Sequence, residues 1–164
     1  MFIDSAEIVV NEYPEVSFIL VGGDKSQVEY YQQLASEKKL YDHFRFTGNV
    51  PPIEASAYLE IASVLVSPRL EGTSIPLKVY TYLLSGKPLV ATDIPAHRLA
   101  LTDELAVLTA PNAQSFAQVI LKLIFDPKLG LRLASRAQEF GWAQYEFDTY
   151  LKMVARIYQM LGTG

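Results

Sequence analysis

Residues 64–93 read VLVSPRLEGTSIPLKVYTYLLSGKPLVATD, and this stretch decides the fold. Its first apolar run, "VLVSP", predicts a short buried strand, and residues 77–84 read as a helix that follows a loop ending in Pro76. A glycine turn closes the helix before a second apolar run, "PLVAT", which predicts another strand. Strands joined through a helix pair in parallel, so the stretch indicates a parallel sheet with a helical crossover.

The same alternation continues on both sides of this stretch. Further apolar strands are predicted at 17–21, 44–46 and 105–110, and Ser26 is predicted to cap the second helix. Helices are predicted at 2–13, 26–40, 53–62, 77–84, 113–126, 127–141 and 146–161. The pattern therefore predicts one α/β domain of 164 residues, Rossmann-like, with a mostly parallel sheet of about five strands and helices on both faces.

Composition excludes several classes of function. Fourteen basic and eighteen acidic residues give a formal net charge of −4 without a basic tract, so no nucleic-acid partner is expected. The chain has no cysteine and two histidines, so we expect neither thiolate chemistry nor a metal site, and no cofactor. A cytoplasmic setting fits this composition. No apolar run reaches the ~18–20 residues of a membrane span, although peripheral contact with the inner face of a membrane stays open for a longer protein.

The predicted sheet places four loops at one edge. In an open α/β sheet, ligands bind in the crevice beyond the carboxyl ends of the strands. The loops that follow the first four strands are residues 22–25, 47–50, 69–76 and 92–95. We expect these loops to share one rim, where a ligand would bind.

The loop at 69–76 has the chemistry of an anion site. The backbone N–H groups of Gly72 to Ile75 precede a helix, so they could hold a diphosphate with help from the helix dipole. Lys78 would add a positive charge, and Glu71 is suited to accepting hydrogen bonds from sugar hydroxyls. These features suggest a sugar-diphosphate site. The same residues also fit an ordinary strand-to-helix loop with a solvated lysine, and spacing alone leaves both interpretations open.

The order of five segments resembles a known family. "FILVGGD", "FRFTGNV", "YLEIASVLVSPRLEG", "YLLSGKPLVATD" and "FGWAQYEFDTYLKMVARIY" follow one another as in the carboxyl-terminal, donor-binding domain of the retaining, nucleotide-sugar-dependent glycosyltransferases called group 1 or family 4. Those enzymes have the GT-B fold, which consists of two Rossmann-like domains. The resemblance covers nearly the whole chain, and residues 64–93 are its strongest part.

The resemblance implies a donor site with roles for named residues. The nucleotide base would meet Gly48, Asn49 and Val50. The diphosphate would meet the backbone of Gly72, Thr73, Ser74 and Ile75. Glu71 would take the place of the first glutamate of the family's paired-glutamate motif, which contacts the donor sugar, and Lys78 would contact phosphate. Thr81 stands where the second glutamate is expected, so a hydroxyl replaces the carboxylate that would bond the ribose. Glu71 and Lys78 are therefore the catalytic candidates, and Thr81 joins the donor-binding ones.

The resemblance also implies a larger enzyme. Its reaction would be the retaining transfer of a sugar from a nucleotide diphosphate to an acceptor hydroxyl, as in polysaccharide biosynthesis, with no metal. Residues 1–164 are then expected to be the carboxyl-terminal half of that enzyme, without the domain's first strand and without the amino-terminal domain that binds the acceptor. Alone, this fragment is expected to be inactive. The missing first strand would leave a gap in the sheet. Either the remaining strands would close this gap, or a partner chain would cover it, as in a homodimer.

Two other functions fit the same fold. A sugar-nucleotide epimerase would need acid–base histidines and carboxylates in the cleft, and a scaffolding domain would keep the fold without turning over a donor. Asp24 and Lys25 are expected to form a polar turn rather than contact the diphosphate. His97 and Arg98 are expected to lie on the surface at a helix start rather than contact sugar. Arg69 is either a partner of Glu71 or a solvated side chain.

Overall fold

A computed structural model describes residues 1–145 of the chain. The predicted alternation of helices and strands is confirmed over this range. The elements are α1 (Phe2–Glu12), β1 (Phe18–Val21), α2 (Lys25–Glu37), β2 (Phe44–Gly48), α3 (Pro52–Ile61), β3 (Leu65–Ser67), α4 (Lys78–Leu84), β4 (Leu89–Thr92), α5 (Pro95–Arg98), β5 (Val107–Thr109), α6 (Ala113–Phe125) and α7 (Pro127–Tyr145). A 3-10 turn at Tyr41–His43 was not predicted, and α5 lies where a helix start was expected at His97 and Arg98. The helix predicted at 146–161 lies outside the described residues.

All five strands run parallel to their neighbours, but they form two separate sheets. β1 pairs with β2 in one sheet, and β3, β4 and β5 follow one another in the other. Within the described residues, β1 and β3 therefore each have a partner on one side only. The parallel α/β architecture is as predicted, but the five strands form two sheets instead of one. Local sequence patterns do not indicate which strands pair with each other.

β4 forms the centre of the larger sheet and is buried on both faces. Val90 faces a core cluster that includes Phe116 and Ile120 of α6. Leu89 and Ala91 face the opposite cluster, which contains residues of α4 and α7. Every residue of β4 is buried, which explains why its sequence is continuously apolar rather than alternating. Helices thus cover both faces of this sheet.

The smaller sheet is covered well on one face only. Phe18 of β1 stacks on Phe44 of β2 with ring centroids 5.0 Å apart, and Phe2 of α1 meets both rings edge-on. The side chains of Ile19 and Val21, which point to the other face, are 38% and 41% exposed. α3 contributes no buried residue. The expectation of helical cover on both faces therefore holds for the larger sheet and only partly for the smaller one.

The cap of α2 differs from the prediction. Asp24, not Ser26, is the N-cap residue: its carboxylate accepts the Gln27 backbone N–H at 2.9 Å, and the Gln27 side-chain oxygen accepts the Asp24 N–H at 3.0 Å. Ser26 instead donates its hydroxyl to Asp24 at 2.7 Å. A carboxylate accepts more strongly than a hydroxyl, so the reciprocal capping box forms two residues earlier. Asp24 thus ends a polar turn, as expected.

None of the helices in residues 1–145 is both long enough and apolar enough to cross a membrane.

Candidate functional site

The four predicted loops meet in two pairs. The loops after β1 and β2 are joined because Gly22 donates its backbone N–H to the Gly48 carbonyl at 2.9 Å. Both glycines have positive φ, +98° and +63°, so the turns use conformations that other residues rarely adopt. In the larger sheet, the loops after β3 and β4 are joined because the Thr92 hydroxyl donates to the Arg69 carbonyl. The structure therefore places each pair at the carboxyl end of its own sheet.

The predicted base-binding segment lies at the end of β2. Gly48 is held by its contact with Gly22, Asn49 presents an exposed side chain, and Val50 is half-buried. Pro51 then leads directly into α3. This arrangement leaves the Asn49 amide open to a ligand while the backbone on both sides is fixed.

The predicted diphosphate segment presents unpaired donors. Within residues 1–145, none of the backbone N–H groups of Gly72 to Ile75 donates to a protein acceptor. Thr73 and Ser74 are exposed. α4, however, begins only at Lys78 and has seven residues, so Pro76 and Leu77 separate these N–H groups from the helix. The helix dipole decays within a turn, so its expected help for an anion is smaller than the sequence indicated.

Two positive groups lie beside this loop. The Arg69 guanidinium donates to the Ser74 carbonyl at 3.2 Å, so it crosses the loop from its first residue. Loss of water around the Lys78 ammonium, and then the positive charge of Arg69, lower the pKa of Lys78 even though part of its side chain is exposed. The Lys78 nitrogen also lies 6.0 Å from the centre of the Tyr82 ring. A dianion between these groups would relieve their repulsion.

Glu71 and Thr81 are both exposed and both unengaged. Among residues 1–145, Glu71 forms no ion pair and no side-chain hydrogen bond, so the suggested pairing with Arg69 is wrong: that guanidinium binds a carbonyl instead. Thr81 lies three residues after Lys78 on α4, which places both side chains on one face of the helix. Its hydroxyl likewise has no protein partner in the described part of the chain. The two candidates thus remain available to a ligand.

His97 does not lie on the surface as predicted. Its side chain is fully buried, and it joins the ends of two strands: its Nε2 lies 2.9 Å from the Ser67 hydroxyl and its Nδ1 lies 2.7 Å from the Thr92 carbonyl. Burial, opposed by the bond to Thr92, lowers the pKa of His97, and the charges of Lys78 and Arg69 lower it further. A neutral imidazole therefore sits directly beneath the loop.

Arg98, the neighbour of His97, is exposed as predicted. It bridges Asp93 at 2.6 Å and Asp103 at 2.8 Å, and its hydrogen bonds lower the pKa of Asp93.

The sequence prediction missed the burial of His97 because "PAHRL" contains a histidine and an arginine after a proline, a composition typical of an exposed helix start. A usable signal was present, since Ser67 and Thr92 close two strands predicted to be buried and each needs a hydrogen-bond partner.

Two further observations delimit the site. In residues 1–145, no group of three or more histidine, aspartate or glutamate side chains is arranged to hold a metal ion. A groove of about 350 Å³ lies along the outer side of β5, lined in part by Glu104, Lys122, Arg132 and Arg136. It includes none of the predicted site residues. Glu71, Thr73 and Ser74 of the 69–76 loop are exposed, so this part of the candidate site is open to solvent.

Comparison with known proteins agrees with this architecture. Residues 1–126 match a family model described as "Glycosyl transferases group 1". The chain is 25% identical over 167 aligned positions to the phosphatidyl-myo-inositol mannosyltransferase of Mycobacterium leprae, covering all of this chain and 43% of that protein. The chain thus spans less than half the length of this curated relative.

Solved structures show the same fold. Sucrose-phosphate synthase of Thermosynechococcus elongatus superimposes with a TM-score of 0.83 at 20% identity, over 98% of this chain and 42% of that one. Anabaena HepE, crystallised in complex with UDP-glucose, superimposes with a TM-score of 0.81 at 22% identity, over 96% of this chain and 44% of that one.

Proposed function

Because the chain belongs to the group 1 glycosyl transferases, we propose that it binds the nucleotide-diphosphate sugar that is the donor in a retaining transfer to an acceptor hydroxyl. The observation that carries this proposal is the unneutralised positive charge at the 69–76 loop. In the described part of the chain, no carboxylate pairs with Arg69 or Lys78. Beside them lie the four free N–H groups of Gly72 to Ile75. Donors and charge without an internal partner suit a diphosphate.

The other candidates take roles around the diphosphate. Glu71, next to the N–H groups, accepts hydrogen bonds from hydroxyls of the donor sugar. Thr81 gives one neutral hydrogen bond to the ribose, and Asn49 with its neighbours Gly48 and Val50 meets the base. HepE, which shares this fold, was crystallised with UDP-glucose, and this supports a nucleotide sugar as ligand.

The residues act on the transfer mainly through charge. As the bond from the sugar to the diphosphate breaks, negative charge develops on the leaving oxygen. In the proposed site, Lys78 and the loop N–H groups would lie beside that oxygen, where preorganised donors stabilise the developing charge. Lys78 and Glu71 are thus proposed as catalytic residues in the sense that both touch the donor. No step requires a metal, because side chains and backbone supply the positive charge.

We propose further that turnover requires more protein than this chain. The chain covers 43% of the mannosyltransferase of M. leprae and similar fractions of the solved structures. The remainder would supply the domain that binds the acceptor and the strand that joins β1 to β3. Association of two copies would also cover the open strand edges. A cytoplasmic location, contact with a membrane surface and a part in polysaccharide biosynthesis stay predictions.

The rival functions make different demands on the same residues. An epimerase needs an acid–base histidine in the cleft, whereas both nitrogens of the buried His97 are already engaged by the protein. A scaffolding domain would bind no donor at all. Donor binding therefore separates the proposal from the scaffolding alternative.

The test is calorimetric titration of the 164-residue chain with UDP-glucose, GDP-mannose and ADP-glucose. The proposal predicts that one donor binds, and that Glu71→Gln raises its Kd about tenfold, the effect of losing a charged hydrogen-bond acceptor. Glu104→Gln is the matched control, since Glu104 is exposed and lies in the groove beside β5. A chain that shows a folded-protein NMR spectrum but binds none of the three donors would overturn the proposal.

A further inference from the structure

We infer that His97 is a positioning residue for the 69–76 loop. In this account the neutral imidazole orients the Thr92 hydroxyl, which in turn fixes the Arg69 carbonyl at the start of the loop. The inference concerns the shape of the loop in the free protein. It rests on the proposed function only for its consequence, which is that donor affinity depends on His97.

The hydrogen bonds fix the tautomer of His97. The Thr92 carbonyl can only accept, and it lies 2.7 Å from Nδ1, so Nδ1 carries the proton. Because the imidazole is neutral, Nε2 is then an acceptor, and the Ser67 hydroxyl at 2.9 Å donates to it. Both ring nitrogens are thereby satisfied in a site without exposed surface.

The same proton also sets the direction of the Thr92 hydroxyl. The hydroxyl oxygen of Thr92 lies 3.1 Å from Nδ1 of His97 and accepts a bifurcated hydrogen bond from the Nδ1 proton, which the Thr92 carbonyl also accepts. Its own proton is therefore free to point to the Arg69 carbonyl, to which it donates. Arg69 then continues the chain of contacts, since its guanidinium binds the Ser74 carbonyl at 3.2 Å. One buried ring thus orders a loop whose N–H groups have no internal partners.

The charge state of His97 matters for this arrangement. The charged groups that face it are Arg69 in the loop and Lys78 on α4, and both are positive. On its own helix, Arg98 is exposed and paired with Asp93 and Asp103. A proton on Nε2 would face the Ser67 hydroxyl, which could no longer donate to it, and would add a third positive charge beneath the loop. The loop is therefore expected to be ordered only while His97 is neutral.

The experiment measures order in the loop without any donor. Backbone ¹⁵N order parameters of Gly72 to Ile75 are compared in the wild-type chain and in His97→Leu, Thr92→Val, His97→Asn and Ser67→Ala. Thr92→Val is nearly isosteric and removes only the hydroxyl, so it tests the link even if His97→Leu fails to fold. His97→Asn can keep an N–H close to the position of Nδ1. Imidazole ¹⁵N shifts in the wild type report the tautomer and the protonation of His97.

We expect order parameters near 0.85 in the wild type and below about 0.6 in Thr92→Val and His97→Leu. His97→Asn should keep the loop ordered, and Ser67→Ala should lower the melting temperature while leaving the loop ordered. In the wild type, loop order should fall as His97 takes up a proton, and in His97→Asn it should not. Unchanged order in both Thr92→Val and His97→Leu, or a proton on Nε2 of the neutral ring, would overturn the inference.

Donor titration links this result to the proposed function while keeping the two separable. With UDP-glucose, GDP-mannose and ADP-glucose, Thr92→Val should raise the Kd of the bound donor about tenfold, and Ser67→Ala should raise it less than twofold. A loop that loses order in Thr92→Val in a chain that binds no donor would support the positioning role and contradict the donor site. Donor binding that Thr92→Val leaves unchanged would contradict the dependence of donor affinity on His97, while the order parameters alone decide the positioning role.

Discussion

The guanidinium of Arg69 occupies the space in which a side chain at Gly72 would lie. A Cβ built on Gly72 would be 2.6 Å from Cζ of Arg69, and the backbone there has a φ of +151°. Glycine at position 72 therefore allows Arg69 to cross the loop and reach the Ser74 carbonyl. The shape of the loop and the position of its nearest cation depend on each other.

Gly72→Ala should weaken donor binding more than it weakens the fold. The methyl group must displace the Arg69 side chain, and the backbone conformation would cost about 1–3 kcal/mol for a residue other than glycine. Because most residues of the loop are exposed and only Ile75 packs against a core cluster, we expect local rearrangement of the loop to relieve most of this strain. The expected result is a rise in donor Kd of about tenfold with a melting temperature lowered by less than ~3 °C.

A double-mutant cycle with Arg69→Ala isolates the steric part of this effect. Once the guanidinium is removed, Gly72→Ala should cost clearly less donor affinity than it does in the wild-type chain. Equal costs in both backgrounds would show that Arg69 and Gly72 are independent.

Lys78→Gln should raise stability while it lowers donor affinity. The pKa of Lys78 is lowered in the folded chain, so its charged form is less favourable there than in the unfolded chain at neutral pH. Removing the charge should raise the melting temperature slightly, by no more than ~2 °C because the side chain is partly exposed. Donor Kd should rise at least about tenfold, the effect of losing a charged contact to phosphate.

Lys122→Gln is the control for Lys78→Gln. Lys122 is a lysine near the end of α6, away from the rim. Its replacement should change neither donor Kd nor the melting temperature measurably. If Lys78→Gln lowers the melting temperature and leaves donor Kd unchanged, Lys78 is a structural residue.

Thr81→Glu should strengthen donor binding. The Thr81 hydroxyl is exposed and unengaged on the same face of α4 as Lys78. A carboxylate at this position would form a charge-assisted bond to a ribose hydroxyl, so we expect donor Kd to fall about threefold to tenfold in calorimetry. Thr81→Gln, which reaches as far without a charge, should gain less. Weaker binding by Thr81→Glu would mean that position 81 does not face the ribose.

The stability of the chain should depend on pH through His97. Burial lowers the pKa of His97 in the folded chain, so between that lowered pKa and about 6.5 the unfolded chain holds the proton and the folded chain does not. Stability should therefore fall as the pH decreases below about 6.5, by up to ~1.4 kcal/mol per pH unit.

Urea unfolding at several pH values between 5 and 8 measures this dependence. The slope of the unfolding free energy against pH in this range should become shallower in His97→Asn, which cannot take up a proton. The same slope in both proteins would assign the pH dependence to other groups.

Donor binding should not require a divalent metal. In the proposed site the positive charge comes from Arg69, Lys78 and the N–H groups of the loop, so the donor is held without a bridging cation. Calorimetric Kd values measured with about 5 mM EDTA and with about 5 mM Mg²⁺ should agree within about twofold. A Kd that falls tenfold or more with Mg²⁺ would contradict this assignment.

Local patterns predicted most of the elements because their signals are local. Pro14, Gly86 and Pro127 mark element boundaries, and each predicted helix within residues 1–145 appears in the structure. The helix and the two strands predicted within residues 64–93 are confirmed. The continuous apolar run of β4 is explained by its burial on both faces. Such properties follow from side-chain chemistry within a few residues.

The features that were missed depend on residues far apart in the chain. The burial of His97 depends on Ser67, thirty positions earlier, and on Thr92, because only their hydrogen bonds allow an imidazole to be buried. The division of the sheet depends on which strand edges meet. The exposure of Ile19 depends on how closely α3 approaches β1. None of these has a signature within one element.

The most direct test of the account is an NMR titration of the ¹⁵N-labelled chain with UDP-glucose, GDP-mannose and ADP-glucose. Donor binding at the proposed site should cause saturable shifts of the backbone amide signals of Gly72 to Ile75, and of Asn49, with one of these donors. Amides on the outer side of β5 serve as the internal control and should not shift. A folded chain whose 72–75 amides do not respond to any of the three donors would contradict the account.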